Sequence, residues 1–505
     1  MGCGCRCRGA SFGWGTCTAC RGCCFVALHP RGERRSLAGH LGGTMTCRAV
    51  SHPGPPYTSG LVAVGAAAVV AVDLAWSLVG DTTDPRLLAV QFVLAVTGAA
   101  AITFQRGRGL ASAALLYLVV FGLFHGGLLV AFAVQGESVL IGQGDNSWVF
   151  SRDVGQAVRI SIVGVAAWVV GYVVVRDGGN KKFLIRESGR DLGVGAARVG
   201  LAATIMGGVL VWRSFVAGGV GIGSTYAQFI ESGSPGYAYG ILLVGFGCAY
   251  LVASRTPRTG WVIFACAALL LLPIGTRSAV LFPGVALVYI VGRRRRIGPV
   301  VGLSAMTVGL TLISVLRQTR LDGIAGIMAR KWSLTPMDGL AEMGYSLYPV
   351  VAVGRWLERG ESERYGATLF AVPARFLTRV SGGAVPPAEG DDRLFNVLVM
   401  RREGPIGGSP IAEGLLNGGL LGIVLLMFVI GAAIAWADLQ ESRAGVLAGL
   451  AVFLPLIFET RNSFAPVPAQ VCLGLVMLIA ARLLSPPLPS RSGTGNRRPH
   501  TNGAS

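Results

Sequence analysis

Arginine and glutamate residues at the ends of apolar segments are the side chains of this sequence best suited to chemistry. The loop charges described below predict that six of them lie on the same side of a membrane: Arg277, Arg317, Arg320, Glu413, Glu459 and Arg461. A single arginine at a helix end often only anchors that end in the interface. A group of six favours an anionic ligand, because guanidinium stays charged and binds phosphate oxygens in pairs. Asp73, His125 and Arg213 lie deeper in apolar segments, where each is expected to pair with another helix.

The elements that position these residues are predicted to be membrane-spanning helices. The 505 residues are 52% hydrophobic and 14% charged, with a mean hydropathy of +0.60. Crossing the hydrocarbon core takes roughly 20 apolar residues. Segments of about this length recur along the chain, and we predict about twelve spans over 60–80, 86–104, 109–135, 158–175, 196–218, 237–253, 261–275, 279–292, 298–316, 413–437, 444–460 and 465–484.

The loops between these segments alternate in charge, which predicts orientation. Every second loop is basic, as at Arg106, in the stretch 176–190 and in the run from Arg293 to Arg296. Short cytoplasmic loops retain Lys and Arg, so both termini are predicted to be cytoplasmic. The predicted organisation is a tail over 1–58, spans over 59–316, an extracytoplasmic loop over 317–412 between spans 9 and 10, spans over 413–484, and a disordered tail over 485–505.

The net charge of +19 does not indicate a nucleic-acid partner. Most of the surplus lies in loops where positive charge sets topology. No RNP, KH or zinc-finger pattern accompanies the basic runs. We therefore expect membrane lipid, and no nucleic acid, as the partner of these charges.

The first 58 residues are expected to form a disordered cytoplasmic tail. Eight of the eleven cysteines lie before residue 48. The overlapping spacing from Cys17 to Cys24 would suit zinc. The favoured interpretation is that translation starts at Met45, because residues 1–44 contain no apolar span and no signal-peptide order.

The loop over 317–412 is predicted to be a folded cap. It is rich in aromatic and charged residues, and loops on a rigid scaffold are where binding chemistry collects. The apolar stretch 343–357, interrupted by Pro349, is predicted to lie as short helices on the membrane surface. The neighbouring carboxylates Asp391 and Asp392 are expected to be solvated, and no metal site or cofactor is predicted.

Several motifs follow one another along the second half of the chain: the segment 273–281 around Arg277, the pair Arg317 and Arg320, Glu342-Met-Gly344, Arg364-Tyr-Gly366, Pro373-Ala-Arg375 and the helix entry 409–422 with Glu413 and Asn417. By their order and placement, these motifs resemble the Wzy-type O-antigen polymerases, also called oligosaccharide repeat unit polymerases. The resemblance covers roughly 200–470. The family's Arg-x10-Gly spacing also occurs, from Arg355 to Gly366 and from Arg393 to Gly404.

This resemblance implies an all-α polytopic glycosyltransferase of the GT-C kind in the bacterial inner membrane. It would join oligosaccharide units carried on undecaprenyl pyrophosphate at the outer face, with a flippase and a chain-length regulator as expected partners. Arg277 would neutralise the departing pyrophosphate, and Glu413 or Glu342 would act as base or orient an arginine. The substrate-binding helpers implied are Arg317, Arg320, Arg375, Asn417 and Arg461.

Two other functions are weighed against this one. O-antigen ligases share the architecture but usually carry a functional histidine in the outer loop, and residues 317–412 contain none. A transporter for a polysaccharide or a small molecule would be expected to show two similar halves and polar groups at the midplane. No internal repeat is visible in the sequence.

Overall fold

The described part of the protein is built of helices. The computed structural model describes residues 83–106, 109–140, 146–178, 184–185, 191–218, 235–272, 275–329 and 335–487. Its α-helices are α1 (Pro85–Arg106), α2 (Ala113–Gln135), α3 (Arg152–Asp177), α4 (Leu192–Ala217), α5 (Pro235–Ala253), α6 (Pro257–Leu271), α7 (Ser278–Gly292), α8 (Pro299–Ala329), α9 (Pro336–Met343), α10 (Tyr348–Glu358), α11 (Ala371–Val380), α12 (Phe395–Glu403), α13 (Pro410–Leu439), α14 (Arg443–Glu459) and α15 (Val467–Leu483). No strand occurs within these ranges.

Most of the predicted spans coincide with helices. The predicted span 60–80, the tail with its cysteine cluster, and Asp73 lie outside the described residues. The other predicted spans overlap α1 to α8 and α13 to α15. Among the described helices, seven are long and apolar enough to cross a membrane: α1, α2, α3, α4, α5, α8 and α13. Helices α6, α7 and α15 are apolar but shorter.

Helices extend into the predicted cap at both of its ends. Helix α8 continues to Ala329, which lies beyond the predicted end of its span at residue 316. Helix α13 begins at Pro410, with Ser409 as its N-cap. Hydropathy marks where apolar side chains stop, whereas backbone hydrogen bonding continues through polar residues. The cap therefore begins on a helix that extends beyond the apolar stretch.

The stretch 343–357 is buried rather than lying on a membrane surface, so that prediction was wrong. Met343, Leu347 and Val353 are each at most 1% exposed. Pro349 sits in the first turn of α10, where a helix tolerates it. These apolar side chains pack against α2, α3 and α13. The exposed apolar residues of the cap include Phe376 and Leu377 of α11 and Phe370 just before it.

The segments predicted to face the cytoplasm meet at one end of the helices. Arg106, which ends α1, pairs with Asp177, which ends α3. Asp191, just before α4, pairs with Arg255 after α5 and with Arg443 at the start of α14. Loops that alternate along the sequence therefore share one end of the helix bundle.

Two arginines of the basic run 293–296 have a role in packing that loop charge alone did not predict. Arg293 is buried and its Nη2 lies 2.8 Å from Asp438 Oδ1. Asp438 in turn accepts from the backbone N–H of Ala113 at 2.8 Å, at the start of α2. Arg294 Nη1 donates to the carbonyl oxygen of Val252, near the end of α5, at 2.9 Å. The Asp438 carboxylate therefore lies at the N-terminus of α2, and the Arg294 guanidinium lies at the C-terminus of α5. In both cases the charge is opposite in sign to that end of the helix dipole.

The cap and the remaining loops meet at the opposite end. Arg355 Nε donates to Asp153 Oδ2 at 2.5 Å, which ties α10 to the start of α3. Tyr345 OH donates to Asn146 Oδ1 at 2.7 Å. These contacts place the cap on the ends of the helices distant from the basic loops.

Helices α3 and α13 approach each other at glycines. A Cβ atom on Gly171 would lie 2.0 Å from the carbonyl oxygen of Phe428, and one on Gly431 would lie 2.0 Å from that of Trp168. Small residues let backbones touch where hydrophobic burial cannot drive helix association in lipid. The glycine content of the chain therefore serves close helix packing, which holds α13 and its site residues in place.

Candidate functional site

Arg277 and Glu342 form a buried ion pair. Arg277 Nη1 lies 2.8 Å from Glu342 Oε1, and the two side chains are 3% and 8% exposed. The sequence placed both residues among the candidates but did not predict their pairing. It also placed the Arg277 side chain at the outer surface, whereas the structure buries it. The turn that carries Arg277 does lie between two apolar helices, α6 and α7, as predicted.

Local structure fixes both partners of this pair. Gly275 has φ +83°, a conformation that favours glycine, and it opens the short turn to Arg277. The hydroxyl of Thr276 donates to the carbonyl oxygen of Leu271 at 2.9 Å and closes that turn on α6. Glu342 lies near the end of α9, where a Cβ on the neighbouring Gly344 would meet the Leu128 nitrogen of α2 at 1.9 Å. Close packing therefore leaves the pair little freedom to move.

Glu413 and Asn417 belong to a second buried cluster. Glu413 Oε1 accepts from the Thr368 hydroxyl at 2.8 Å, and its Oε2 accepts from the backbone N–H of Phe464 at 2.5 Å. Asn417 Nδ2 lies 2.6 Å from Thr368 Oγ1 and 2.7 Å from the carbonyl oxygen of Glu413. Glu413 thus joins the cap to α13 and to the loop after α14. This geometry favours a positioning role over that of a base.

A break in α13 directly follows this cluster. Gly418 and Gly419 depart from helical geometry, and Gly419 has φ +55°. The backbone N–H of Arg364 donates to the carbonyl oxygen of Leu416 at 2.8 Å, beside the break. The cap segment around residue 364 therefore donates a hydrogen bond to a carbonyl group that the broken helix leaves without a helical partner. The motifs Arg364-Tyr-Gly366 and 409–422, which are distant in sequence, meet here.

His125 was expected to pair with another helix, and its contact is with Ser409, the N-cap residue of α13. Its Nδ1 lies 3.1 Å from the carbonyl oxygen of Phe121 and its Nε2 lies 2.8 Å from Ser409 Oγ. A carbonyl only accepts, so in the neutral imidazole Nδ1 donates and Nε2 accepts from the Ser409 hydroxyl. Ser409 caps α13, so α2 helps to position the helix that carries Glu413. Arg213, another of the ionisable residues deep in apolar segments, lies in α4.

Arg461 lies beside this link. Its guanidinium carbon is 5.5 Å from the centre of the Phe124 ring. Its carbonyl oxygen accepts from the backbone N–H of Gly408 at 2.8 Å. Arg461 therefore stands between the loop after α14 and the entry to α13, close to both. Arg317 and Arg320 lie within α8, and the placement of their side chains falls outside the described residues.

Arg375 pairs with Asp391 in the cap. Asp391 is 5% exposed and also accepts from Arg393 at 2.8 and 2.9 Å, so the expectation that it is solvated was wrong. Hydrogen bonds from Arg393 and then from Arg375 hold the pKa of the Asp391 carboxyl well below its usual value. Asp392 is exposed and pairs with Arg401. The first carboxylate is enclosed because two guanidinium groups compensate its charge.

The glycines of both Arg-x10-Gly motifs adopt the left-handed region, each with φ +85°. Gly404 ends α12, and Gly366 precedes α11. The arginines of these motifs serve different partners, because Arg355 pairs with Asp153 and Arg393 with Asp391. What the two motifs share in this chain is therefore a turn that favours glycine.

The structure thus brings the candidates into three clusters at the cap end: Arg277 with Glu342, Glu413 with Asn417 and Thr368, and Arg375 with Asp391. Thr368 and Ser409 were missed as participants because a lone hydroxyl carries no sequence signal. Within the described ranges, no group of three or more His, Cys, Asp or Glu side chains is placed to hold a metal ion. The arrangement offers guanidinium charge and buried carboxyl groups, which suit transfer from a phosphate leaving group.

Comparison with known proteins agrees with the motifs. The family model for the O-antigen polysaccharide polymerase Wzy matches residues 93–484, which include all three clusters. Protein CapE of Staphylococcus aureus is 22% identical over 406 residues, which is 76% of this chain and 87% of that protein. No solved structure matches. Since the family match extends over well more than half of the sequence, this chain belongs to the O-antigen polysaccharide polymerase Wzy family.

Proposed function

We propose that the protein is a membrane glycosyltransferase that polymerises undecaprenyl-pyrophosphate-linked repeat units on the outer face of the bacterial inner membrane. The observation that carries this proposal is the buried Arg277–Glu342 pair at the cap end of a chain that matches the polymerase family over residues 93–484. In this reaction a hydroxyl of the incoming unit attacks the anomeric carbon of the donor chain. The bond to undecaprenyl pyrophosphate breaks, and the hydroxyl proton leaves.

The departing pyrophosphate needs positive charge held in place. Arg277 is fixed by Glu342, and Arg461 lies at the same end with an intermediate exposure. Preorganised charge acts without reorganisation during the reaction, and removing one such donor typically costs about 10²–10³ in rate. In this proposal Arg277 and Arg461 bind the departing pyrophosphate. Arg375, Arg317 and Arg320 assist in binding the substrate. Glu413 positions the loop that carries Arg461, and no metal is required in this scheme.

The proposed topology has twelve spans with both termini in the cytoplasm. In it, α6, α7, α14 and α15 cross the membrane together with the seven longer helices, and the segment 60–80, which lies outside the described residues, is counted as the first span from its sequence. The cap then follows the ninth span and is extracytoplasmic. The clustering of Arg106, Asp191, Arg255 and Arg443 at the other end supports this orientation, because short cytoplasmic loops retain positive charge.

The test is reconstitution of the purified protein with undecaprenyl-pyrophosphate-linked repeat units. A polymerase yields a ladder of products that differ by one repeat unit. Arg461→Ala is expected to reduce the rate by about 10²–10³, whereas the matched control Arg359→Ala, an exposed cap arginine, retains it. Transfer of one intact chain to another acceptor, with no ladder, would indicate a ligase. Movement of the substrate across vesicles without a new glycosidic bond would indicate a transporter.

A further inference from the structure

A cavity of about 300 Å³ lies between α5, α7, α12, α14 and α15. Its polar lining includes Tyr237, Tyr239, Ser278, Asn396, Glu459 and Gln470. The volume is at the lower end of the range for small-molecule pockets, about 300–1,000 Å³. Neither the three clusters of the candidate site nor the proposed function uses this cavity or any of these side chains.

Three side chains that line this cavity have buried oxygen atoms without a hydrogen-bond partner among the described residues. Glu459 is 1% exposed, and neither of its carboxyl oxygens has a hydrogen-bond partner there. The same holds for Asn396 Oδ1 and Gln470 Oε1. Leaving such groups buried and unpaired is costly, so folded proteins rarely do so. Three side chains from three different helices sharing this state around one cavity point to a ligand that supplies their partners.

The chemistry of the lining selects the class of ligand. The cavity's described lining residues include no Lys or Arg, and they include a carboxyl group, so a phosphate would be disfavoured. Carboxyl and amide groups all bond hydroxyl groups, and an amide can donate or accept. The rings of Tyr237 and Tyr239 add apolar area with a polar tip. A polyhydroxylated, uncharged ring fits this combination.

The position of the cavity connects it to the candidate site. Ser278 directly follows Arg277, and Glu459 lies two residues before Arg461. Glu459 is also close enough to Glu413 for the two carboxyl groups to interact electrostatically. A ligand in this cavity would therefore lie beside the two segments that carry Arg277 and Arg461, which are proposed to bind the pyrophosphate. It would contact a lining that includes no Lys or Arg among the described residues.

We propose that this cavity binds a sugar ring of the repeat unit, with Glu459, Asn396 and Gln470 bonding its hydroxyl groups. The inference rests on the proposed function and deepens it by separating a sugar subsite from the arginines. Because the Glu459 carboxyl group is buried and has no hydrogen-bond partner among the described residues, replacing it with leucine removes a desolvation cost as well as a ligand contact. The proposal therefore predicts opposite effects on stability and on binding.

The experiment uses the full chain in detergent and the free oligosaccharide repeat unit, released by mild acid from the lipid-linked form of the producing cells. Isothermal titration measures binding, and a thermal melt measures stability. Glu459→Leu is expected to weaken binding roughly tenfold or more while its melting temperature stays equal or rises. Glu358→Gln, at an exposed cap carboxylate, is the control and binds as the wild type does. Gln470→Leu is a second variant, expected to weaken binding in the same direction.

Several outcomes would overturn the sugar subsite. These are wild-type affinity in both leucine variants, no measurable oligosaccharide binding by the wild type, and binding of Na⁺ or Mg²⁺ alone that Glu459→Leu abolishes. If Glu459→Leu does not fold, Gln470→Leu decides. Failure of the proposed function is read separately: a wild-type protein that binds the free oligosaccharide through Glu459 but makes no ladder would keep the subsite and reject the polymerase.

Discussion

Replacing Arg277 and Glu342 singly and together separates a structural ion pair from a pyrophosphate-binding arginine. The single variants are Arg277→Met and Glu342→Leu, and the double variant combines them. Each single change leaves the other charge in a site where the two side chains are 3% and 8% exposed. The double change removes both charges and fills the space with apolar side chains of similar length.

The expected magnitudes follow from burial. Breaking a buried pair by removing one partner typically costs about 3–5 kcal/mol, whereas replacing both partners with apolar residues is often close to neutral. Each single variant should therefore lose abundance in the membrane, and the double variant should regain it. If Arg277 also stabilises the departing pyrophosphate, the rate of the double variant should remain about 10²–10³ below that of the wild type.

The assay measures membrane abundance by quantitative blot and ladder formation per mole of folded protein. Arg277→Lys supplies an intermediate case, since lysine keeps the charge but loses the planar fork, and we expect it to be strongly impaired. A double variant that polymerises at the wild-type rate would refute the catalytic role and leave Arg277 as a packing residue. The series at Arg461 would then become the next test of pyrophosphate recognition.

Three further predictions concern the topology, metals and the cap. A reporter inserted at Gly390 should be extracytoplasmic and one inserted after Arg296 cytoplasmic; the reverse at both sites would discard the proposed orientation. Polymerisation should survive EDTA, and activity that is lost and then restored by Mg²⁺ or Mn²⁺ would redirect attention to Asp391 and Asp392. Because the pKa of Asp391 is lowered on folding, its contribution to cap stability is complete above the usual carboxyl value, about 3.9, and is lost as pH falls through the lower folded value. Asp391→Asn should therefore speed proteolysis of the cap at neutral pH, with Asp392→Asn as the matched control, and equal rates for the two variants would count against this ion-pair cluster.

Much of the fold could be predicted from hydropathy because a helix that crosses lipid needs a continuous run of apolar side chains. Helix α13 illustrates both the strength and the limit of this signal. Its apolar stretch was located to within a few residues, but its break at Gly418 and Gly419 was not predicted. Beside the break, the carbonyl oxygen of Leu416 accepts from the backbone N–H of Arg364, a cap residue about fifty residues earlier in the chain, and such a distant contact has no local signal.

The candidate site was predicted in its residues but not in its contacts. Arg277 and Glu342 were both selected, yet Arg277 was expected to face the outer surface, and Glu342 was expected to act as a base or to orient an arginine that the sequence did not identify. The error has a physical cause: the exposure of an arginine at a helix end depends on whether another helix covers it. Here α9 brings Glu342 over the end of α7, held by glycine contacts with α8 and α2.

The sequence by itself determined that the chain is helical and apolar, where its apolar runs end, and which motifs resemble the polymerase family, because composition, hydropathy and residue order are local properties. Only the tertiary structure decided that Arg293 pairs with Asp438 and that Ser409 connects His125 to α13. It also decided that Glu459 lines a cavity and has no hydrogen-bond partner in the described part of the chain. Each of these depends on the distance between side chains far apart in sequence, which helix packing alone sets.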